Sequence, residues 1–168
     1  VSGVVIFAKT SKGASRLSEQ IRKHTVRKVY HALVEGRLEQ EQGTLVHYLG
    51  DGLGGVELKN APAPGFKRAE LNYSVLERGN RFTVVEVELK TGRKHQIRTQ
   101  FAHLGHPIAG DRKYGASLVF GPGIGLASVS FEFAHPVRSA AQKRERRACT
   151  AAARPNTGAV SARRCAAH

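Results

Sequence analysis

Apolar and polar residues alternate along much of this chain, and the alternation predicts strands. In KRAELNYSVLERGNRFTVVEVELKTGR, Ala69, Leu71, Tyr73 and Val75 take every second position, as do Val85, Val87 and Leu89 on the return. Arg78-Gly79-Asn80 supplies the turn and Phe82 begins the second strand, so the stretch reads as a β-hairpin with one apolar face. VSGVVIFAK, VRKVYHALVEG, TLVHYLG and a late GLASVSFEF read as further strands, rich in β-branched residues. The period changes to that of a helix in two places. SKGASRLSEQIRKH carries Leu17 and Ile21 one turn apart, with Ser11 as N-cap. A second helix is predicted at about 94–104, where Ile97, Phe101 and Leu104 form one buried face and Lys94 and Arg98 another. Strands outnumber helices and hairpins join them, so the expected class is α+β: a mainly antiparallel mixed sheet with short flanking helices.

From Ser139 onward the pattern stops. The segment SAAQKRERRACTAAARPNTGAVSARRCAAH has Val160 as its one large aliphatic residue, too little apolar surface to offset the entropy of ordering it. The chain of 168 residues therefore divides into a body, 1–138, and a basic Ala/Arg-rich tail, 139–168, expected to be disordered. It opens on Val1 inside a strand-like run, as a fragment would.

Charge narrows the partner. Lys plus Arg number 27 against 13 acids, a net +14, and the body stays basic when the tail is set aside. Such an excess favours a polyanion, bound through salt-dependent phosphate contacts. No run approaches the ~18 apolar residues of a membrane span and no secretory pattern opens the chain, so no membrane partner is expected. Cys149 and Cys165 both lie in the tail at a spacing that suits neither a zinc ribbon nor a redox pair, and a reducing, cytoplasmic setting is the expectation.

Two glycine- or histidine-rich stretches invite sharper readings. GDGLGG at 50–55 lacks the Lys-Ser/Thr ending of a phosphate loop and reads as a turn. His95, His103 and His106 have no Cys or carboxylate at ligand spacing, and Gly105-His106-Pro107 ends a helix, so capping and packing are expected of the latter two. Arg93, Lys94, His95 and Gln96 gather at the predicted start of the second helix, where free N–H groups and the helix dipole favour phosphate.

The same residues carry a resemblance. LKTGRKHQIRTQFAHLGHPIAGDRKYG resembles the signature of the RluA-type RNA pseudouridine synthases, TGR-x-HQIR followed by GHPI-x-GD-x-x-YG. VRKVYHALVEGR resembles that family's K-x-Y-x-ALVEG strand, FEFAHPV its closing F-x-HP, and VSGVVIFAKTSKGA the stretch after its catalytic HRLD motif. The resemblance covers about residues 1–138. It implies the pseudouridine synthase catalytic-domain fold, truncated at the N-terminus, and isomerisation of uridine to pseudouridine in structured RNA, rRNA or tRNA, without cofactor or metal. Position by position, Arg98 matches the arginine that pairs with the catalytic aspartate, and Tyr30 the tyrosine that contacts the flipped base. Lys28, Arg93, Lys94 and His95 become candidate phosphate contacts, and Asp111 reads as a turn residue. The HRLD aspartate itself would lie three residues before Val1, and neither Asp51 nor Asp111 stands in that context. The expectation is a monomeric fragment, inactive alone, holding the supporting half of an active site. The alternative is a non-catalytic RNA-binding module of the same fold.

Overall fold

The computed structural model describes residues 2–135 and the four residues of a short strand at 149–152. The described chain gathers into two compact units, residues 29–127 and residues 2–28 with those from Ser128 onward.

The first unit is built on antiparallel pairing. It contains β2 (Arg27–Glu35, from Val29 on), β3 (Gln42–Gly52), β4 (Gly55–Lys59), β5 (Lys67–Arg78) and β6 (Phe82–Leu89), in the order β2-β6-β5-β3-β4. The predicted alternation sets the register. Val75 faces Val85, Tyr73 faces Val87 and Leu71 faces Leu89, while Asn72–Glu88 and Ser74–Glu86 form the intervening pairs. The same parity continues into β2, where Tyr30 faces Val87 and Ala32 faces Val85. A shift of one residue would turn every one of these apolar side chains to the other face. Ile97 and Phe101 complete the core against Leu45, Leu71 and Tyr73, with the Phe101 ring edge-on to Tyr73 at 5.6 Å. A bulge between Val75 and Glu77 leaves Leu76 half exposed and sharpens the twist before the turn.

The second helix, α2, runs Gln96–His103, shorter than predicted at its start. His95 is its N-cap in the left-handed region (φ 52°), so Lys94 precedes the helix and does not share a helical face with Arg98. Leu104 is the C-cap and is 39% exposed, so the buried face ends at Phe101. The glycine-rich stretch predicted as a turn is narrower than expected. β3 continues to Gly52, and β4, which the alternation did not reveal, returns from Gly55.

The second unit holds β1 (Ser2–Gly3), α1 (Ser11–Arg22), the part of β7 (Leu126–Phe133) from Ser128, and β8 (Cys149–Ala152). The expected strand VSGVVIFAK shrinks to Ser2–Gly3. Val4 N–H donates to the Ser128 carbonyl at 3.2 Å, but Val5 and Phe7 beyond it are exposed. β-branched composition does not hold a strand where the backbone finds no ladder. Thr10, not Ser11, caps α1: its hydroxyl accepts from Gly13 N–H at 3.1 Å. Gln20 ties α1 to the end of β7 by two bonds of 2.8 Å, donating to the Ala134 carbonyl and accepting from its N–H. Within the predicted tail, Cys149–Ala152 pair antiparallel with β7. The rest of 139–168, to which the expectation of disorder applied, lies outside the described residues. Among the described residues no helix is long and apolar enough to cross a membrane.

Candidate active site

The TGRKHQIR segment is shaped by one glutamine. Gln96 is buried, and its Oε1 accepts from the Thr91 hydroxyl (2.8 Å) and the Arg93 N–H (3.0 Å), while its Nε2 donates to the Glu70 carbonyl (3.0 Å). Thr91 Oγ1 in turn accepts from Glu70 N–H at 2.8 Å. These bonds pin the loop after β6 to β5 and satisfy polar groups that burial would otherwise leave costly. The chain then turns through His95, whose positive φ costs a non-glycine residue on the order of 1–2 kcal/mol. Its carbonyl accepts from Thr99 N–H at 2.9 Å and from the Thr99 hydroxyl at 3.1 Å, which holds the strained turn in place.

Arg98 lies one turn further on. Its Nε donates to Asp111 Oδ2 at 2.6 Å and its Nη2 to Oδ1 at 2.8 Å, a two-point, charge-assisted pair. Asp111 is 1% exposed and the Arg98 side chain 18%, so water screens the pair little. The Asp111 hydrogen bond, against the opposing effect of burial, raises the guanidinium pKa above its ordinary value. The Arg98 Cζ sits 4.9 Å from the centre of the Tyr114 ring, within cation–π range. The Tyr114 hydroxyl is 2.8 Å from His95 Nδ1, and the two rings meet edge to face. Burial first, then the nearby charges of Arg98, Lys113 and Lys94, lower the His95 pKa, with Asp111 opposing them.

The structure thus brings His95, Arg98, Asp111 and Tyr114 together. Lys94 is exposed beside them and reaches Asp51 at 3.6 Å, a solvent-facing pair. Arg93 donates from Nε to the Arg68 carbonyl at 3.1 Å. Tyr30 lies on β2, half buried against the core of the first unit. Lys28, at the start of β2, is buried, and lost hydration pulls its pKa below the usual lysine value. His103 stacks edge-on with His47 at 5.1 Å, and His106 Nδ1 donates to the Glu35 carbonyl at 2.8 Å, so both have the packing and capping roles expected.

Asp111 is a turn residue, as read: its carbonyl accepts from Tyr114 and Ala116 N–H at 3.0 and 3.1 Å. It is also the in-chain partner of Arg98, which sequence reasoning missed. Tyr114 was missed as well. The one signal available was their place together in GD-x-x-YG, since nothing in sequence spacing shows that this turn folds back over α2.

A family model described as RNA pseudouridylate synthase matches residues 1–103, which include the TGRKHQIR segment. The chain is 36% identical over 116 residues to the RNA pseudouridine synthase YhcT of Bacillus subtilis, covering 68% of this chain and 38% of that protein. It is 36% identical over 126 residues to tRNA pseudouridine synthase C of Vibrio parahaemolyticus, covering 68% and 51% respectively. Against ribosomal large subunit pseudouridine synthase D of Xylella fastidiosa the figures are 35% over 152 residues, 82% and 45%. The fold matches human RNA pseudouridylate synthase domain containing 1 with a TM-score of 0.67 at 23% identity, over 74% of this chain and 56% of that one. The chain belongs to the RNA pseudouridine synthase family. It spans about half or less of the length of the relatives named.

Proposed function

We propose that this chain is part of an enzyme that isomerises uridine to pseudouridine in structured RNA, rRNA or tRNA. The observation that carries the reading is the TGRKHQIR segment, folded so that its arginine is held rigidly between a buried carboxylate and an aromatic ring.

The reaction breaks the C1′–N1 bond and forms C1′–C5; the C5 proton is lost to solvent and N1 gains one, with no net redox change. The base must leave its stack before the sugar can be reached. Tyr30 is assigned to contact the flipped base. Arg93 and Lys94 supply cationic phosphate contacts, and His95 offers Nε2, because its Nδ1 is engaged with Tyr114. Arg98 is assigned as partner of the reacting carboxylate, which it would orient through charge-assisted hydrogen bonds. Neither aspartate of the chain suits the nucleophile's role: Asp111 is committed to Arg98, and Asp51 is a highly exposed surface group. The reacting carboxylate is therefore assigned to sequence outside these 168 residues, and the 168-residue polypeptide is expected to be inactive alone.

The test is tritium release from RNA labelled at uridine C5. The full product of the gene should release it and the 168-residue polypeptide should not. Salt-sensitive RNA binding by the full product without tritium release would favour the second reading, an RNA-binding module, for which the net charge of +14 speaks.

A further inference from the structure

What matters about the Arg98–Asp111 pair is the edge of the guanidinium it uses. Asp111 accepts from Nε and Nη2, the side edge of the fork. The end edge, Nη1 with the second Nη2 proton, takes no part in that pair. Three restraints fix the geometry. The Tyr114 ring lies against Cζ at 4.9 Å, and His95 Nδ1 holds the Tyr114 hydroxyl at 2.8 Å. Asp111 is held by its own backbone, its N–H donating to the Ile108 carbonyl at 2.9 Å and its carbonyl accepting from Tyr114 and Ala116. A long arginine side chain otherwise loses about 2 kcal/mol of rotamer entropy when it is fixed. Here the plane and the direction of the guanidinium are set before anything binds to it.

Charge gives the pair a second consequence. The Asp111 carboxylate offsets the charge of Arg98, so a further anion at the end edge meets an oriented pair of donors with little net positive charge behind them. It can be aimed without losing as much basicity as it would beside an unpaired cation.

We infer that Asp111 is a positioning residue for the isomerisation: by holding the side edge of Arg98 it presents the end edge to the reacting carboxylate and fixes its direction. This rests on the assignment above, in which Arg98 partners that carboxylate.

The experiment measures tritium release by the full product of the gene, wild type and with Asp111→Asn or Asp111→Glu, together with thermal unfolding and the Arg98 Nε and Nη resonances. Asp111→Asn should lower kcat by about 100-fold, the loss typical of a misplaced catalytic group, and leave KM within about 2-fold. Its Nη signals should merge as the guanidinium begins to rotate. Asp111→Glu keeps the charge and should recover part of kcat; it also decides the matter if the asparagine variant does not fold. A folded Asp111→Asn enzyme with wild-type kcat overturns the inference and leaves the assigned activity standing; if that variant does not fold, an Asp111→Glu enzyme whose Nη signals merge while kcat stays at the wild-type value does the same. A wild-type protein that releases no tritium overturns the assigned activity, and the role in isomerisation falls with it.

Discussion

Replacing Arg98 by methionine removes the charge and its hydrogen bonds while keeping much of the side-chain volume. Asp111, 1% exposed, would then be a buried carboxylate with its charged partner gone. Breaking a buried pair from one side costs about 3–5 kcal/mol, mostly because the remaining charge is stranded. Asp111→Asn strands less: the Arg98 side chain is 18% exposed and reaches some water, and the asparagine oxygen still accepts one hydrogen bond. Losing the other charge-assisted bond should cost about 1.5–3 kcal/mol. The double variant leaves neither charge behind, so its cost should fall short of the sum of the singles by at least about 2 kcal/mol. Urea unfolding of the 168-residue protein at pH 7 measures all four corners of this cycle. With a slope of about 1–3 kcal/mol per molar urea, Arg98→Met should lower the midpoint by roughly 1 M or more. Costs that add within about 0.5 kcal/mol would refute the argument, because they would mean that the pair has no coupling beyond its separate packing.

Two further predictions concern the frame around the site. His47 is buried, and its Nδ1 accepts from Gln100 Nε2 at 2.9 Å; burial, then the proximity of His103, lower its pKa. The unfolded chain then binds protons more tightly, so stability should be full above the unfolded value of about 6.5 and decline as pH falls below it, at up to about 1.4 kcal/mol per unit. His47→Gln should flatten that slope in urea midpoints taken from pH 5 to 8, and an unchanged slope would exclude His47 as its source. Gly110 has φ 81°, and a Cβ there would lie 2.5 Å from the Gly123 carbonyl oxygen. Gly110→Ala should therefore destabilise the protein by at least about 1 kcal/mol and loosen the turn that carries Asp111, seen as a lower melting temperature; an unchanged melting temperature would show that the turn can shift at no cost.

The parts of this fold that could be read from sequence are those governed by a period. The β5–β6 hairpin was legible because Leu71, Tyr73 and Val75 must share a face with Leu89, Val87 and Val85, and only one register allows it. Ile97 and Phe101 were legible for the same reason. Where a local conformation breaks the period, reading failed. The left-handed turn at His95 delays α2, and the bulge at Leu76 adds a residue that alternation cannot place. β4 escaped because the glycines before it suggest only a turn, although Gly50–Glu57 and Tyr48–Lys59 pair across it. The exposed run through Val5 and Phe7 shows the converse error, β propensity read as a strand where the ladder stops. Arg98 could be singled out through its motif, but its partner in the structure could not. The contact with Asp111 spans 13 residues and depends on how the chain returns after Gly105.

The spacing inside TGRKHQIR has a mechanical explanation on this structure. Thr91 and Gln96 are five residues apart because the glutamine closes the loop on which the threonine sits, and both then bond the backbone of Glu70 on β5. His95 must immediately precede the helix because it makes the left-handed turn into it. Arg98 follows three residues later, and positions three apart on a helix start share a side. Tyr114 can therefore touch both, its hydroxyl on His95 and its ring on Arg98, while Asp111, three residues before it, takes the guanidinium edge. Two short segments, 91–98 and 110–114, thus close on each other through Arg98 and His95. A change in either should be felt first in the direction of that guanidinium, before it is felt in the core.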